Sequence, residues 1–172
     1  MAYEQHIEEA KSIAARCAII TLSDTRTAET DKSGQLIRKL LSDDGHSVGR
    51  YEILPDEPDR LARLLDELID DRDIDAILTN GGTGISGRDQ TMPVIEQRLT
   101  LALPGFGELF RMLSWQQIGS GAMLSRAAGG VAKGKLLFAL PGSTKAVELA
   151  MTKLILPELG HLLRELRKSS AA

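Results

Sequence analysis

Residues 74 to 91, IDAILTNGGTGISGRDQT, feed a short apolar run into a glycine-rich loop that closes on an arginine and an aspartate. Gly81, Gly82, Gly84 and Gly87 free the backbone to take positive φ and to approach a ligand closely, with several N–H groups turned to one point. Such a loop is an anion cradle, to which Arg88 adds a positive charge and Asp89 a group able to handle a metal or a proton. Three more polar stretches follow apolar runs in the same way: Ser23 to Asp31, Pro55 to Glu57, and Pro141 to Lys145. The last of these leads into a helical pattern, where free N–H groups and hydroxyls can hold a phosphate or simply cap the helix. Asp56 and Asp89 follow separate strands and are the best candidates for metal ligands. Asp31 and Asp56 also have structural roles open to them, as a helix cap and a turn residue.

Several other chemistries are excluded. Gly82 to Gly87 spells G-x-G-x-x-G, but a dinucleotide fold places that motif in its first βα unit, with an acid ending the next strand. Glu108 has the spacing without the context, which argues against a nicotinamide or flavin oxidoreductase. Gly129 to Lys135 spells G-x-x-x-x-G-K, yet Leu136 stands where a Ser or Thr would bind magnesium, and the segment precedes a strand. His6, His46 and His161 have no ligand partner at helical or turn spacing and read as surface or packing residues. Cys17 is the sole cysteine and begins an apolar run, so a disulfide is excluded and a buried, inert thiol is expected. What remains is a site of carboxylates, hydroxyls and backbone donors. That inventory suits phosphoryl or nucleotidyl transfer, in which magnesium held by one or two carboxylates offsets charge on phosphate oxygens.

The elements that must position these residues alternate. Strands are expected at Arg16 to Leu22, His46 to Leu54, Asp75 to Thr79 and Lys135 to Leu140. Helices are expected at Lys32 to Leu41, capped by Asp31, and at Pro58 to Asp70, with Leu61, Leu64, Leu65, Leu68 and Ile69 on one face. Pro104 to Arg126 reads as less regular, and a long C-terminal helix from Thr144 to Arg167 is expected to kink or break at Pro157. This pattern predicts an open, mostly parallel α/β sheet with helices on both faces, and ligands bind such sheets outside the carboxyl ends of the strands.

At 172 residues the chain is the size of one domain. A net charge of -3 with 26% charged residues and scattered Lys and Arg leaves no nucleic-acid footprint. No apolar run approaches the roughly 18 residues of a membrane span, and the polar N-terminus lacks a signal-peptide pattern, so a cytoplasmic protein without a membrane partner is expected.

Six signatures occur in order: SDTR at 23 to 26, DKSG at 31 to 34, LPD at 54 to 56, TNGGTGISGRDQT at 79 to 91, AMLSRAAGG at 122 to 130, and PGST at 141 to 144. Together they resemble the MoaB/MogA family of molybdenum cofactor biosynthesis proteins from about Arg16 to Leu166. The segment PGFGELFRMLSWQQIGSGAMLSR and the PGST turn are more similar to the MoaB branch. The resemblance implies a three-layer sandwich around a mostly parallel sheet, with residues 1–15 as an N-terminal extension and 16–168 as one molybdopterin-binding domain. It implies an activity as well: binding of molybdopterin and, in active members, adenylylation of its terminal phosphate with Mg-ATP, giving adenylylated molybdopterin and pyrophosphate.

Carried over by position, the resemblance makes Asp56 and Asp89 catalytic and magnesium-holding. It assigns substrate binding to Ser23, Asp24, Asp31, Gly81, Gly82, Thr83, Gly84, Arg88, Ser125, Pro141, Gly142 and Ser143. One departure concerns the turn after Asp89, which reads Gln90-Thr91-Met92-Pro93 where adenylylating relatives have a Thr-Pro-Glu pattern. The MoaB branch includes members that look inactive, so the alternative is a non-catalytic molybdopterin carrier or assembly protein of the pathway. The resemblance also implies a homo-oligomer, trimer or hexamer, and admits the molybdate-insertion protein as a partner. Phe106, Phe110, Met112 and Trp115 would form an interface patch if they lie on an outer surface; a core role is equally open.

Overall fold

The computed structural model describes residues 2–10 and 12–169. Along the chain these form α1 (Ala2–Ala10), β1 (Arg16–Leu22), α2 (Lys32–Asp43), β2 (Ser47–Leu54), α3 (Pro58–Asp70), β3 (Ala76–Asn80), α4 (Thr91–Glu96) and β4 (Leu101–Ala102). There follow α5 (Pro104–Ile118), a 3₁₀ stretch (Gly119–Leu124), β5 (Ala128–Ala132), β6 (Lys135–Leu140), α6 (Thr144–Ala150), a π-helical turn (Met151–Ile155) and α7 (Leu156–Ser169). The described strands make one six-stranded sheet in the order β2-β1-β3-β6-β5-β4. The first four are parallel, while β5 runs antiparallel to β6 and β4 antiparallel to β5, so the sheet is mixed and mainly parallel.

Both faces of the sheet are covered, which is why its strands read as unbroken apolar runs. On β1 the alternation is explicit: Cys17 and Ile19 pack with Ile37 and Leu41 of α2, Phe110 of α5 and Leu159 of α7. Ala18, Ile20 and Leu22 face the other way, against Leu61, Leu65 and Leu68 of α3 and Ile95 of α4. The apolar stripe of α3 is buried as its spacing requires, with Pro58 in the first turn, where a missing N–H costs nothing. Full burial of one such side chain is worth about 1.5–3 kcal/mol, so four leucines and Ile69 together fix the helix on the sheet. Cys17 is a free thiol, wholly buried, and burial followed by the nearby Asp75 charge pushes it up to about 12.

Several regions depart from the expected elements, and the helices α1 and α4 were not expected at all. The segment from Pro104 is regular, forming α5 and then the 3₁₀ stretch. Its periodicity is blurred because Phe106 and Phe110 enter the core while Leu109, Met112, Trp115 and Ile118 stay exposed on other faces. Strands β4 and β5 were not expected: one has two residues, and the other, AGGVA, is poor in strand formers. Gly129 is needed there for space, since a Cβ would lie 2.7 Å from the ring of Phe138, which packs on Phe106 with centroids 5.1 Å apart. The C-terminal helix does change at the proline, but upstream of it. Pro157 has no N–H, and its ring would crowd the carbonyl of Lys153; widening the preceding turn to a π-helix, with the Leu156 N–H donating to Met151 O, accommodates this.

Ahead of β1, α1 lies against α7, with the Tyr3 hydroxyl donating to Glu158 and Ala10 buried beside Gly160. His46 is nearly buried and its Nδ1 accepts the Ala15 N–H at 3.0 Å, a packing role. His161 sits on α7 beside Glu158, and the side chain of His6 lies outside the described residues. Among the described residues no helix is long and apolar enough to cross a membrane.

Candidate active site

After β2 the chain returns over β1 and lays down β3 on its far side, so the winding reverses between β1 and β3. Open α/β sheets bind ligands at such a point, outside the carboxyl ends of the strands. The four polar loops meet there. Ser23 N–H donates to Leu54 O at 2.8 Å, extending the β1–β2 ladder by one residue. The Ser23 hydroxyl oxygen then accepts from the N–H groups of Thr25 and Arg26 at 3.2 and 3.1 Å, which curls the loop back over the sheet. Asp24 ties this loop to two others: one carboxylate oxygen accepts the Asp56 N–H at 3.0 Å and the other pairs with the Arg88 guanidinium.

The glycine loop differs in part from its expected form. Positive φ occurs at Gly81 (96°) and Gly82 (64°), and not at Gly84 or Gly87. At Gly81 a Cβ would strike the Leu22 carbonyl; at Gly82 it would strike the Thr91 hydroxyl and come within 2.9 Å of Asp56 Oδ1. These two glycines bring the loop down onto β1 and Asp56. Gly84 is required for another reason, since a Cβ would lie 2.6 Å from Asp89 Oδ2, while Gly87 faces open space. Part of the cradle's donor set is turned inward: the Ser86 N–H donates to Asp89 Oδ2 at 2.9 Å. The Ser86 hydroxyl, set against a smaller opposing effect of burial and joined by the Ser86 and Gly84 N–H groups, holds the Asp89 carboxyl below its ordinary range. Arg126 adds to this and donates to Gly84 O at 3.0 Å, tying the loop to the segment before β5.

Asp56 behaves in the opposite way. Burial, then the charges of Asp24 and Asp89, push its carboxyl above the ordinary range, against the pull of Arg88. Asp56 thus lies close enough to the carboxylates of two other loops to feel both their charges at the mouth of the glycine loop. Among the described residues no group of three or more His, Cys, Asp or Glu side chains is arranged to hold a metal ion by itself.

Beneath the opposite side of the crevice lies a buried network. Asp31 is fully buried; as the cap of α2 it accepts the Gly34 N–H at 3.1 Å, while Tyr51 donates to it at 2.6 Å and Arg26 at 3.2 Å. Burial alone would raise the Asp31 carboxyl, but hydrogen bonds from Thr21, Tyr51 and Gly34 and the Arg26 charge outweigh it and lower it. The Tyr51 hydroxyl is correspondingly pushed up, by burial first and then by Asp31. Asn80 donates from Nδ2 to Thr21 Oγ1 at 2.8 Å, and its Oδ1 is buried without a partner. Arg26 reaches on to the Gly142 carbonyl at 2.8 Å, which also accepts the Ser33 hydroxyl at 2.8 Å.

The structure therefore brings Ser23, Asp24, Asp56, Gly81, Gly82, Gly84, Arg88, Asp89 and Gly142 to one crevice, with Pro141 leading into it. Thr83 is almost buried within the loop. Asp31 lies beneath the crevice with its oxygens already engaged. Ser143 caps α6, accepting the Ala146 N–H at 3.2 Å. Ser125 ends the 3₁₀ stretch next to Arg126, half-buried. Sequence reasoning missed Arg26, Tyr51, Asn80, Thr91 and Arg126. Arg26, Asn80, Thr91 and Arg126 stand inside the recognised signatures; Tyr51 carries no local signal. The larger cavities lie elsewhere, including one of about 490 Å³ between α1 and α7, lined by His46 and His161 at the other end of the sheet.

Fold and site define a class: an open α/β domain whose glycine loop and carboxylates meet outside the strand ends at the reversal point. Over residues 18–161 the sequence matches the family described as "Probable molybdopterin binding domain". It is 53% identical over 169 residues to Molybdenum cofactor biosynthesis protein B of Halalkalibacterium halodurans, covering 98% of this chain and 99% of that protein. The corresponding protein of Bacillus subtilis is 51% identical with the same coverage. A crystal structure of a Molybdenum cofactor biosynthesis protein B superposes with a TM-score of 0.88 at 52% identity, covering 91% of this chain and 98% of the other. The tungsten cofactor synthesizing protein MoaB from Pyrococcus furiosus gives 0.81 at 34% identity, covering 90% and 98%. The chain belongs to the MoaB/MogA family of molybdenum cofactor biosynthesis proteins.

Proposed function

We propose that the protein binds molybdopterin in the crevice between the β1 and β3 loops and transfers the adenylyl group of ATP to its terminal phosphate, as a cytoplasmic enzyme. The observation that carries this reading is the meeting of Asp24, Asp56 and Asp89 at the mouth of the glycine loop, where burial and then the charges of the other two push Asp56 up. Asp24 is balanced by Arg88, so Asp56 and Asp89 are the pair left for a cation. Two carboxylates suit magnesium, which keeps its remaining positions for water and phosphate oxygens. Held there, it would supply charge neutralisation on those oxygens.

The remaining work falls to the chain. An oxygen of the pterin's phosphate forms the new bond to the α-phosphorus of ATP, the bond from that phosphorus to the β-phosphate oxygen breaks, and pyrophosphate leaves. A phosphate monoester is already an anion, so the reaction needs no histidine base, and positioning with electrostatic stabilisation is what the protein contributes. Gly81 and Gly82 keep side chains out of the approach, and Arg88 and Arg126 place positive charge beside the loop. Pyrophosphate release by the purified protein given Mg-ATP with and without molybdopterin, with bound pterin followed in the same samples, tests this. Release that depends on molybdopterin is expected.

A binding-only role is the second reading. It is favoured by the turn after Asp89, in which Thr91 and Met92 are buried and Pro93 carries no charge, so no further carboxylate joins Asp89 there. Pterin bound without pyrophosphate release would select this reading.

We also propose a homo-oligomer, trimer or hexamer, because Met112, Trp115, Ile118 and Met123 are all more than half exposed while Phe106 and Phe110 belong to the core. Trp115→Lys should lower the mass measured by sedimentation, and an unchanged mass would remove this face from the interface.

A further inference from the structure

Among the described guanidiniums beside the crevice, Arg26 is distinguished by its anchor on a fully buried carboxylate, where Arg126 rests on a loop carbonyl. Arg88 is 76% exposed and pairs with an exposed carboxylate, whereas Arg26 is held between the fully buried Asp31 and the Gly142 carbonyl. It lies at the reversal point itself. Built on Gly142, a Cβ would stand 3.2 Å from the Gly81 Cα and 3.8 Å from an Arg26 terminal nitrogen, so the guanidinium borders the junction of the β3 and β6 loops.

The direction of the buried network explains the anchoring. Asn80 presents its N–H₂ to the Thr21 hydroxyl oxygen at 2.8 Å, and Thr21 in turn interacts with both Asp31 and Tyr51. That orientation leaves Asn80 Oδ1 unpartnered. Three donors converge on Asp31: the Tyr51 hydroxyl, the Gly34 N–H and Arg26. A buried carboxylate with three donors, one of them a cation, stays ionised, and an ionised Asp31 holds Arg26 by charge as well as geometry. A guanidinium has five N–H donors in a rigid fork. Asp31 and Gly142 take two of them, which leaves three in a side chain that is 30% exposed.

We propose that Arg26 is the fixed anion-binding residue of this crevice and holds a phosphate group of the substrate, with Asp31 and Tyr51 as positioning residues that act through it. This rests on the reading that the crevice handles phosphate-bearing substrates. The phosphate comes either from the pterin's monoester or from the nucleotide, and both present the same oxygens to the fork.

Calorimetric titration of inorganic pyrophosphate, molybdopterin and α,β-methylene-ATP into wild type, Arg26→Gln, Arg26→Lys, Tyr51→Phe and the Arg26→Gln/Tyr51→Phe double variant decides it. Arg26→Gln should weaken pyrophosphate by about 10- to 100-fold, as loss of charge-assisted hydrogen bonds does. Arg26→Lys should recover only part of this, because an ammonium is a point charge without the fork. Tyr51→Phe should weaken binding by roughly 2- to 5-fold through loosened positioning, and should have no further effect once Arg26 is Gln. A loss confined to molybdopterin assigns the pterin's phosphate to Arg26; one confined to the ATP analogue assigns the nucleotide's. Equal binding by wild type and Arg26→Gln, or additive losses in the double variant, overturns the proposal. Should Arg26→Gln not fold, Arg26→Lys carries the test, and undiminished affinity there overturns it. Pyrophosphate bound through Arg26 without any molybdopterin binding would sink the functional reading and leave this one standing. Molybdopterin bound equally by wild type and Arg26→Gln does the reverse, and a wild type that binds none of the three overturns both.

Discussion

On the α2 face of the crevice Asp31 is sealed from solvent, answered by three donors and lowered in pKa; on the α3–α4 face Asp56 stands partly exposed, beside two other carboxylates, and is raised. Both are aspartates in loops that lead from a strand to a helix, and both could be taken from sequence for the same kind of residue. Their surroundings separate them. A carboxylate whose hydrogen-bond capacity is spent inside the protein has little left for a ligand and serves to hold the site in shape. One that sits among like charges is held in a state that a cation or a positively charged group would relieve.

The contrast can be broken most decisively at Asp31. Asp31→Ala leaves Arg26 and the Tyr51 hydroxyl without their buried partner and should cost about 3–5 kcal/mol, read as a lowered denaturation midpoint; a variant as stable as wild type would deny the network its structural role. Next in size, Asp89→Asn should keep the fold and pterin binding while cutting adenylylation by a factor on the order of a hundred. Normal turnover would remove Asp89 from the mechanism.

Within the glycine loop, Gly82→Ala should cost about 1–3 kcal/mol, because a Cβ at φ 64° meets Thr91 and Asp56. Gly87→Ala, in open space without positive φ, should change stability by less than about 0.5 kcal/mol. Comparable losses at both would mean the loop is uniformly tight.

The smallest effect is the dependence on pH, where the two aspartates should have opposite signs. Asp31 has a lowered folded pKa, so its contribution is present above the unfolded value of about 3.9 and is lost as pH falls through the folded value. Asp56 has a raised folded pKa, so its contribution is present below about 3.9 and is lost as pH rises through the folded value. Asp56→Asn should therefore be slightly more stable than wild type at pH 7, with the difference closing toward pH 4. Urea midpoints at the two pH values check this, and a difference independent of pH would contradict it.

What could be read from sequence were features whose cause is local. β1, α3 and β6 have the ends their apolar runs and flanking turn residues define, and Asp31 caps α2 as its position suggests. Convergence of the four loops followed from the alternation of elements. The helix α5 was hidden because it carries apolar side chains on its exposed faces too, and β5 because Gly129 and Gly130 answer to neighbours distant in the chain. The network was illegible for the same reason. Tyr51 and Asp31 are twenty residues apart and Asn80 and Thr21 fifty-nine, and a single sequence has no period that couples them. The inward turn of the Ser86 N–H depends on where Asp89 swings, which residue types alone do not fix.

Cys17, the only thiol in the chain, lies at the centre of this on β1, five residues before the strand's end and wholly enclosed. With its pKa pushed to about 12 and no path to solvent, it can react with a labelling reagent only while β1 is transiently uncovered. Its labelling rate is therefore a built-in clock for opening of the central sheet. Any ligand that binds across the β1 and β3 loops and stabilises the closed form should slow that clock in proportion to its occupancy.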